Sequence, residues 1–377
     1  MAVKEENGRN ICKYKERKHD FSVNLNPLGM PMQVRRAIAE NTECYESYPD
    51  SKCGELASAI AECHHVSPEH IACGNGVEDI IYRIVCSLAP EKALVVAPAF
   101  SEYEEALETF GCGVEYFYLT DENDFLPERG IDAAVYAGNY DSVFICNPGN
   151  PTGIPVNRGR MMDIIYACHK TDAVLVIDER FMDFLVEAEM YSMMGEISAL
   201  PGVVILKSFD ELFAMAGVQL GYCVCGDVMT AEKVRGCLTR WPVSSVASKA
   251  GVAALSVRGY ADRTKAAVAL EREKLKRALI SMGFKLYDSR ANYVFFRSGT
   301  DIEFFLRRNG IVIKNCGECK GIVQSEIDGR YYYRLAVRTP AENRYLTAGR
   351  RPRPHGRRSI DFFFNFFFRI FWQMKLF

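Results

Sequence analysis

Ser142-Val-Phe-Ile-Cys-Asn-Pro-Gly-Asn-Pro-Thr-Gly153 divides into two halves that fold by different rules. The first five residues, with β-branched Val143 and Ile145, read as a short strand buried on both faces. The second half, Asn147-Pro-Gly-Asn-Pro-Thr-Gly153, holds two Asn-Pro pairs and a glycine exit, which make a rigid loop. That loop leaves the C-terminal end of the strand, where open α/β sheets bind their ligands.

The same design recurs along the chain. Ala93-Leu-Val-Val-Ala97 runs into Pro98-Ala-Phe-Ser-Glu-Tyr103, and Ala173-Val-Leu-Val-Ile-Asp178-Glu179 delivers a carboxylate at its end. Val203-Val-Ile-Leu206 empties into Ser208-Phe-Asp-Glu211, and Gly217 to Gly221 then carries backbone close to something. Between these strands lie helical patterns at about Gln33–Ala39, Leu56–Cys63, Trp241–Val257 and Ala261–Met282. Strands are expected again at Ala291–Phe296 and Tyr331–Arg338. Buried apolar strands alternating with amphipathic helices predict an α/β fold with a mostly parallel sheet.

Composition narrows the classes without choosing among them. At 377 residues, 49% apolar and 25% charged, the chain can bury a large core as an ordinary globular protein. A formal net charge of −2 gives no general pull towards nucleic acid. The fourteen cysteines are spread too widely for a disulfide scaffold and read as free thiols of a reducing, cytoplasmic setting. Cys316-Gly-Glu-Cys319 has no second pair beside it, so no metal site is expected. The N-terminus lacks the apolar stretch of a signal peptide.

Three features are compatible with chemistry, though each is weak alone. Gly74-Asn-Gly76 opens a helical pattern through Val77, Ile80, Ile81, Ile84 and Val85, and such an end presents N–H groups to a phosphate. Asp178 is a carboxylate placed at a buried strand end. Arg334 is a guanidinium on a strand, the group best shaped to pair with a carboxylate. Taken singly, Tyr48-Pro-Asp50 is a surface turn and Arg334 an edge-strand residue facing water.

Taken together over about residues 20–348, the order and spacing of these motifs resemble the class I and II aminotransferases, the pyridoxal-phosphate enzymes of fold type I. The opening Asp20-Phe-Ser-Val-Asn-Leu-Asn-Pro-Leu-Gly-Met-Pro31 is similar to that of the threonine-phosphate decarboxylases and histidinol-phosphate aminotransferases. The resemblance implies a large α/β domain with a mixed, mostly parallel central sheet, and a smaller α/β domain built from both chain ends. It places an arm and part of the small domain at residues 1–45, the large domain at 46–245 and the small C-terminal domain at 246–348. It implies pyridoxal 5′-phosphate as cofactor, with Gly76 and Val77 at its phosphate, Tyr103 stacked on its ring and Asn150 at its O3′. Asp178 would keep the pyridine nitrogen protonated. Ser208 would bind the cofactor too, and Tyr48 would reach the phosphate of the neighbouring subunit in a homodimer. The substrate, a small amino acid or amino-acid phosphate, would lie under Asn26 and Leu28, with its carboxylate on Arg334 and Arg338 close by. No nucleic-acid or membrane partner is implied.

One departure decides the functional expectation. The family signature Ser-Phe-Thr-Lys…Pro-Gly-x-Arg-x-Gly-Tyr carries the cofactor on its lysine as a Schiff base. In Leu206–Tyr222 the Thr is Asp210, the Lys is Glu211, the Pro is Ala216 and the Arg is Gln219. Lys207 lies four residues early, at the strand end. Placing like charges ~4 Å apart costs about 4 kcal/mol at an effective dielectric near 20, so Asp210 and Glu211 are unfavourable neighbours for a phosphate dianion. Three expectations stay open: an aminotransferase or decarboxylase, an inactive homologue that holds the cofactor weakly, without a covalent bond or not at all, and an interaction protein on the same scaffold. After residue 348 the chain turns basic and then Phe-rich through 349–377, a tail foreign to the preceding pattern.

Overall fold

The computed structural model describes residues 19–127, 130–237 and 239–348. Residues 1–18 of the arm and the basic, Phe-rich tail lie outside them.

A seven-stranded sheet runs through the first two thirds of the chain. Its spatial order is Ile71–Gly74, Gly221–Cys225, Val203–Ser208, Val174–Asp178, Ser142–Cys146, Lys92–Ala97 and Gly113–Tyr118. Pairing is parallel from Val203–Ser208 out to Gly113–Tyr118, while Gly221–Cys225 runs antiparallel to both of its neighbours. The sheet is therefore mixed and mostly parallel, as predicted. The central strands are buried at every position, which their continuous apolar runs require. Gly113–Tyr118, at the edge, has no buried residue.

Register brings the functional motifs to one edge of the sheet. Cys146 pairs with Asp178, Asp178 with Leu206, Ser208 with Gly221, and Gly221 with Gly74. The loops that follow Ala97, Cys146, Asp178 and Ser208 all leave the sheet there.

A second sheet of four antiparallel strands has the order Lys314–Asn315, Tyr331–Ala336, Tyr293–Ser298 and Lys285–Leu286. The N-terminal segment joins this part of the molecule. His19–Asp20 pairs with Ile311–Val312, and Asn292 donates its side-chain amide to the Asn24 carbonyl at 2.9 Å. The 22-residue helix Tyr260–Ser281 turns Thr264, Val268, Leu275 and Leu279 inward. Asp121 ties the two sheets together. It accepts from Tyr332 at 2.9 Å and pairs with Lys285 at 2.8 Å and with Arg297. Burial alone would raise its carboxyl, but these partners hold it at about 2.

Helix boundaries follow local capping. The helix expected from Trp241 begins at Ser245, because Pro242 interrupts it and Ser244 Oγ caps the Ala247 N–H at 3.2 Å. The helix expected at Gln33–Ala39 spans Met32–Glu40, and that at Leu56–Cys63 spans Gly54–His64.

Candidate functional site

The loop Asn147–Gly153 is held by its own polar groups. Asn147 Oδ1 accepts from the Val156 N–H at 2.9 Å, its amide donates to the Tyr191 carbonyl at 3.0 Å, and Gly149 N–H donates to Ile154 O at 3.0 Å. This fixes Asn150, which is buried, with Oδ1 accepting from Arg334 Nη1 at 2.6 Å. Arg334 also donates to the Ser22 carbonyl at 2.8 Å and lies over the Tyr293 ring. Its guanidinium is thus fixed beside Asn150 by a strand of the second sheet and by the N-terminal segment. Phe181, which lacks a hydroxyl, packs edge-on to Tyr293 at 5.2 Å.

Asp178 is 1% exposed, and its carboxylate is surrounded by the Tyr103 hydroxyl and three nitrogens of Arg180. Oδ1 accepts from the Arg180 N–H at 3.0 Å and Nε at 3.1 Å. Oδ2 accepts from Arg180 Nε at 2.9 Å and from the Tyr103 hydroxyl, and lies 2.7 Å from Arg180 Nη2. Burial, followed by the Asp178 charge, pushes the Tyr103 phenol well above its ordinary range. The Arg180 guanidinium lies 4.8 Å over the Phe100 ring. Burial works against its charge, but Asp178, Tyr103 and Glu211 together hold the proton on.

The turn after Val203–Ser208 presents two carboxylates. Ser208 Oγ accepts from the Asp210 N–H at 3.0 Å, and Asp210 Oδ1 accepts from the Leu220 N–H at 3.2 Å. Burial, followed by the neighbouring Glu211, pushes the Asp210 carboxyl up to about 7. The Glu211 carboxyl is also raised by burial, with Arg180 opposing. Its Oε2 is sealed from solvent without a hydrogen-bond partner among the described residues. Glu211 is anchored through its carbonyl, which accepts from the Asn26 N–H at 3.0 Å. Gln219 is exposed and turns its amide onto the Ala216 carbonyl at 2.5 Å.

Lys207 takes no part in this group. Alternation along the strand sends it to the opposite side of the sheet from Ser208. There it pairs with Asp183 at 2.7 Å and donates to the Glu179 carbonyl at 3.4 Å.

Gly76 and Val77 begin the helix Gly76–Leu88. Gly76 has φ +82°, and a Cβ on it would stand 2.9 Å from Gln219 Oε1. The Asn75 N–H at this end is answered by Asp79 Oδ2 at 3.0 Å. Gly221 packs directly on this corner.

The structure therefore brings Tyr103, Asn150, Asp178, Ser208 and Arg334 to one sheet edge, with Gly76 and Val77 beside them across Gly221. Asn26 borders the group but serves as a clasp. Its side chain donates to Leu212 O at 2.6 Å and Thr264 Oγ1 at 2.7 Å, and accepts from the Leu28 N–H at 2.9 Å. Leu28 is exposed, and Arg338 pairs with Glu342 at 3.3 Å. Tyr48 is 81% exposed and stacks on Trp241 with ring centroids 4.6 Å apart. Sequence reasoning missed Arg180. Its spacing from Asp178 carries no signal, since the contact arises only when the side chain folds back onto that carboxylate.

The sequence family described as aminotransferase class I and II matches residues 16–346. A threonine-phosphate decarboxylase of Salmonella typhimurium is 33% identical over 339 residues, covering 88% of this chain and 90% of that protein. The histidinol-phosphate aminotransferase from Clostridium acetobutylicum superposes with a TM-score of 0.79 at 26% identity, covering 87% of this chain and 96% of that one. That from Sinorhizobium meliloti, solved in complex with pyridoxal-5′-phosphate, has a TM-score of 0.76 at 21% identity, covering 88% and 89% of the two chains.

Proposed function

Because the chain belongs to the class I and II aminotransferase family, we propose that it descends from an enzyme acting on an amino acid or amino-acid phosphate and now binds such a molecule without turning it over. Pyridoxal phosphate is the cofactor of this lineage, and the pocket fits it only in part. Tyr103, Asn150, Asp178 and Ser208 gather at the sheet edge, which supports a cofactor of this kind, although Tyr103 turns its hydroxyl onto Asp178. Against them, Asp210 and Glu211 present carboxylates towards a phosphate dianion, and the Asp178 carboxylate is already engaged by Arg180. The covalent form used by the family does not fit, and no reaction step is assigned to the group. Weak, reversible binding or complete loss is the state this pocket supports.

Glu211 carries this reading. By the resemblance of Leu206–Tyr222 to the family signature it stands at the position of the Schiff-base lysine, and Lys207 is committed to Asp183 across the sheet. The retained binding function rests on Arg334, a half-buried guanidinium fixed by Asn150 and Ser22 and so ready to receive a carboxylate. We also propose that the protein is a homodimer in which the exposed Tyr48–Trp241 stack lies at the contact.

Incubation with pyridoxal phosphate and threonine phosphate or histidinol phosphate tests the proposal. No carbon dioxide and no keto product are expected, while calorimetry detects binding of an amino-acid phosphate that R334A weakens at least tenfold. Turnover at any rate that scales with enzyme concentration overturns the first half. Equal binding by R334A overturns the second.

A further inference from the structure

We infer that Arg180 is a built-in occupant of the pocket, a guanidinium that takes the contacts a protonated pyridine ring would make with Asp178 and so closes the site to pyridoxal phosphate. This deepens the preceding reading and rests on it for the identity of the lineage's cofactor.

A pyridinium needs a buried carboxylate acceptor for its N–H and a flat apolar surface for its ring. Asp178 and the aromatic residues of Pro98–Tyr103 provide both, and Arg180 uses both. A carboxylate offers about four lone-pair directions. Here Oδ1 accepts from the Arg180 N–H, both oxygens share the Arg180 Nε–H, Oδ2 accepts from the Tyr103 hydroxyl, and Arg180 Nη2 lies 2.7 Å from Oδ2, so the guanidinium stands where a ring nitrogen would approach. The guanidinium, itself planar and cationic, covers the face of Phe100. Arg180 is only 6% exposed and cannot swing into water without leaving Asp178 behind in a dry site.

Charge links this arginine to the missing lysine. The Arg180 charge acts on Glu211 as well as on Asp178, and Glu211 gains its main electrostatic relief from it. A lysine at position 211 would instead set a second cation against a buried guanidinium. Arginine at 180 and glutamate at 211 are thus matched in charge, and each favours the other's charged form.

The test compares four proteins titrated with pyridoxal phosphate and followed by absorbance and by the shift in thermal unfolding: wild type, E211K, R180A/E211K and R180A/E211Q. Wild type and E211K are expected to show no saturable absorbance change and no thermal shift. R180A/E211K should bind at least tenfold more tightly than E211K and give a borohydride-stable adduct at position 211. R180A/E211Q should bind reversibly, at least tenfold more tightly than wild type. R180A/E211K raises the local charge by one but leaves a lysine as the cation beside buried Asp178, and circular dichroism should report a folded protein. If it does not fold, the pair wild type and R180A/E211Q decides. Equal binding within either pair overturns the inference. A lysine adduct in wild-type protein would instead overturn the preceding reading, an outcome separable from this comparison.

Discussion

Asp210 and Glu211 share a turn in which neither has a cation to itself. Asp210 titrates at about 7 in the folded protein, against about 4 when exposed. The folded state therefore holds a proton over that range that the unfolded chain releases. Stability contributed by this group is present below about pH 4, falls as the pH rises towards 7, and stays low above it. Glu211 is shifted in the same direction, so the two titrate as a pair. Replacing Asp210 by Asn removes the liability. D210N is expected to exceed wild type in denaturant midpoint at pH 8, and the two should converge below about pH 4, with a slope difference of at most about 1.4 kcal/mol per pH unit. Parallel pH profiles would contradict this assignment. At this scale the sequence was legible wherever a motif fixes the backbone: Asn150, Asp178 and Ser208 stand at the sheet edge because the strands that deliver them are unmistakable. Arg180 was not legible, because its position follows from a side chain folding back onto Asp178, a direction that residue spacing does not encode.

The elements that build the pocket are set by close backbone contact as much as by apolar burial. Gly221 begins its strand against the start of the helix Gly76–Leu88, and a Cβ there would stand 2.6 Å from both Gly76 C and Val77 N. Backbone on both sides leaves little room to yield. Gly221→Ala is therefore expected to destabilise the protein by roughly 2–3 kcal/mol, near the upper end for overpacking. Urea unfolding with an unchanged slope would check it, and a loss below ~0.5 kcal/mol would show that the strand can shift. Strands were legible to within a few residues, because all-apolar runs such as Ser142–Cys146 have no other stable use. Helix starts were less so. Ser244 and Pro242 set the beginning of the Ser245–Leu255 helix, and the apolar pattern upstream of them misleads.

At the scale of the molecule, the N-terminal segment pairs with Ile311–Val312 and supports Arg334 through Ser22, so the pocket depends on residues more than 300 positions apart in sequence. Asp121 adds a second tie between the two sheets. Such long-range closure could be expected from the resemblance but not from periodicity, which sees only neighbours along the chain. Among the described residues no helix is long and apolar enough to cross a membrane. Light scattering is expected to give twice the monomer mass, and Y48A should shift the protein towards monomer on dilution. A monomeric wild type at micromolar concentration would remove the dimer from the proposal.

Lysine-dependent chemistry is the point on which the functional reading turns. Purified wild-type protein mixed with excess pyridoxal phosphate, reduced with borohydride and mapped by peptide mass spectrometry tests it directly. The expected result is no stoichiometric adduct on any lysine, Lys207 included. A single lysine modified to completion, with a matching absorbance band before reduction, would contradict the proposal that this chain has no lysine in the Schiff-base role.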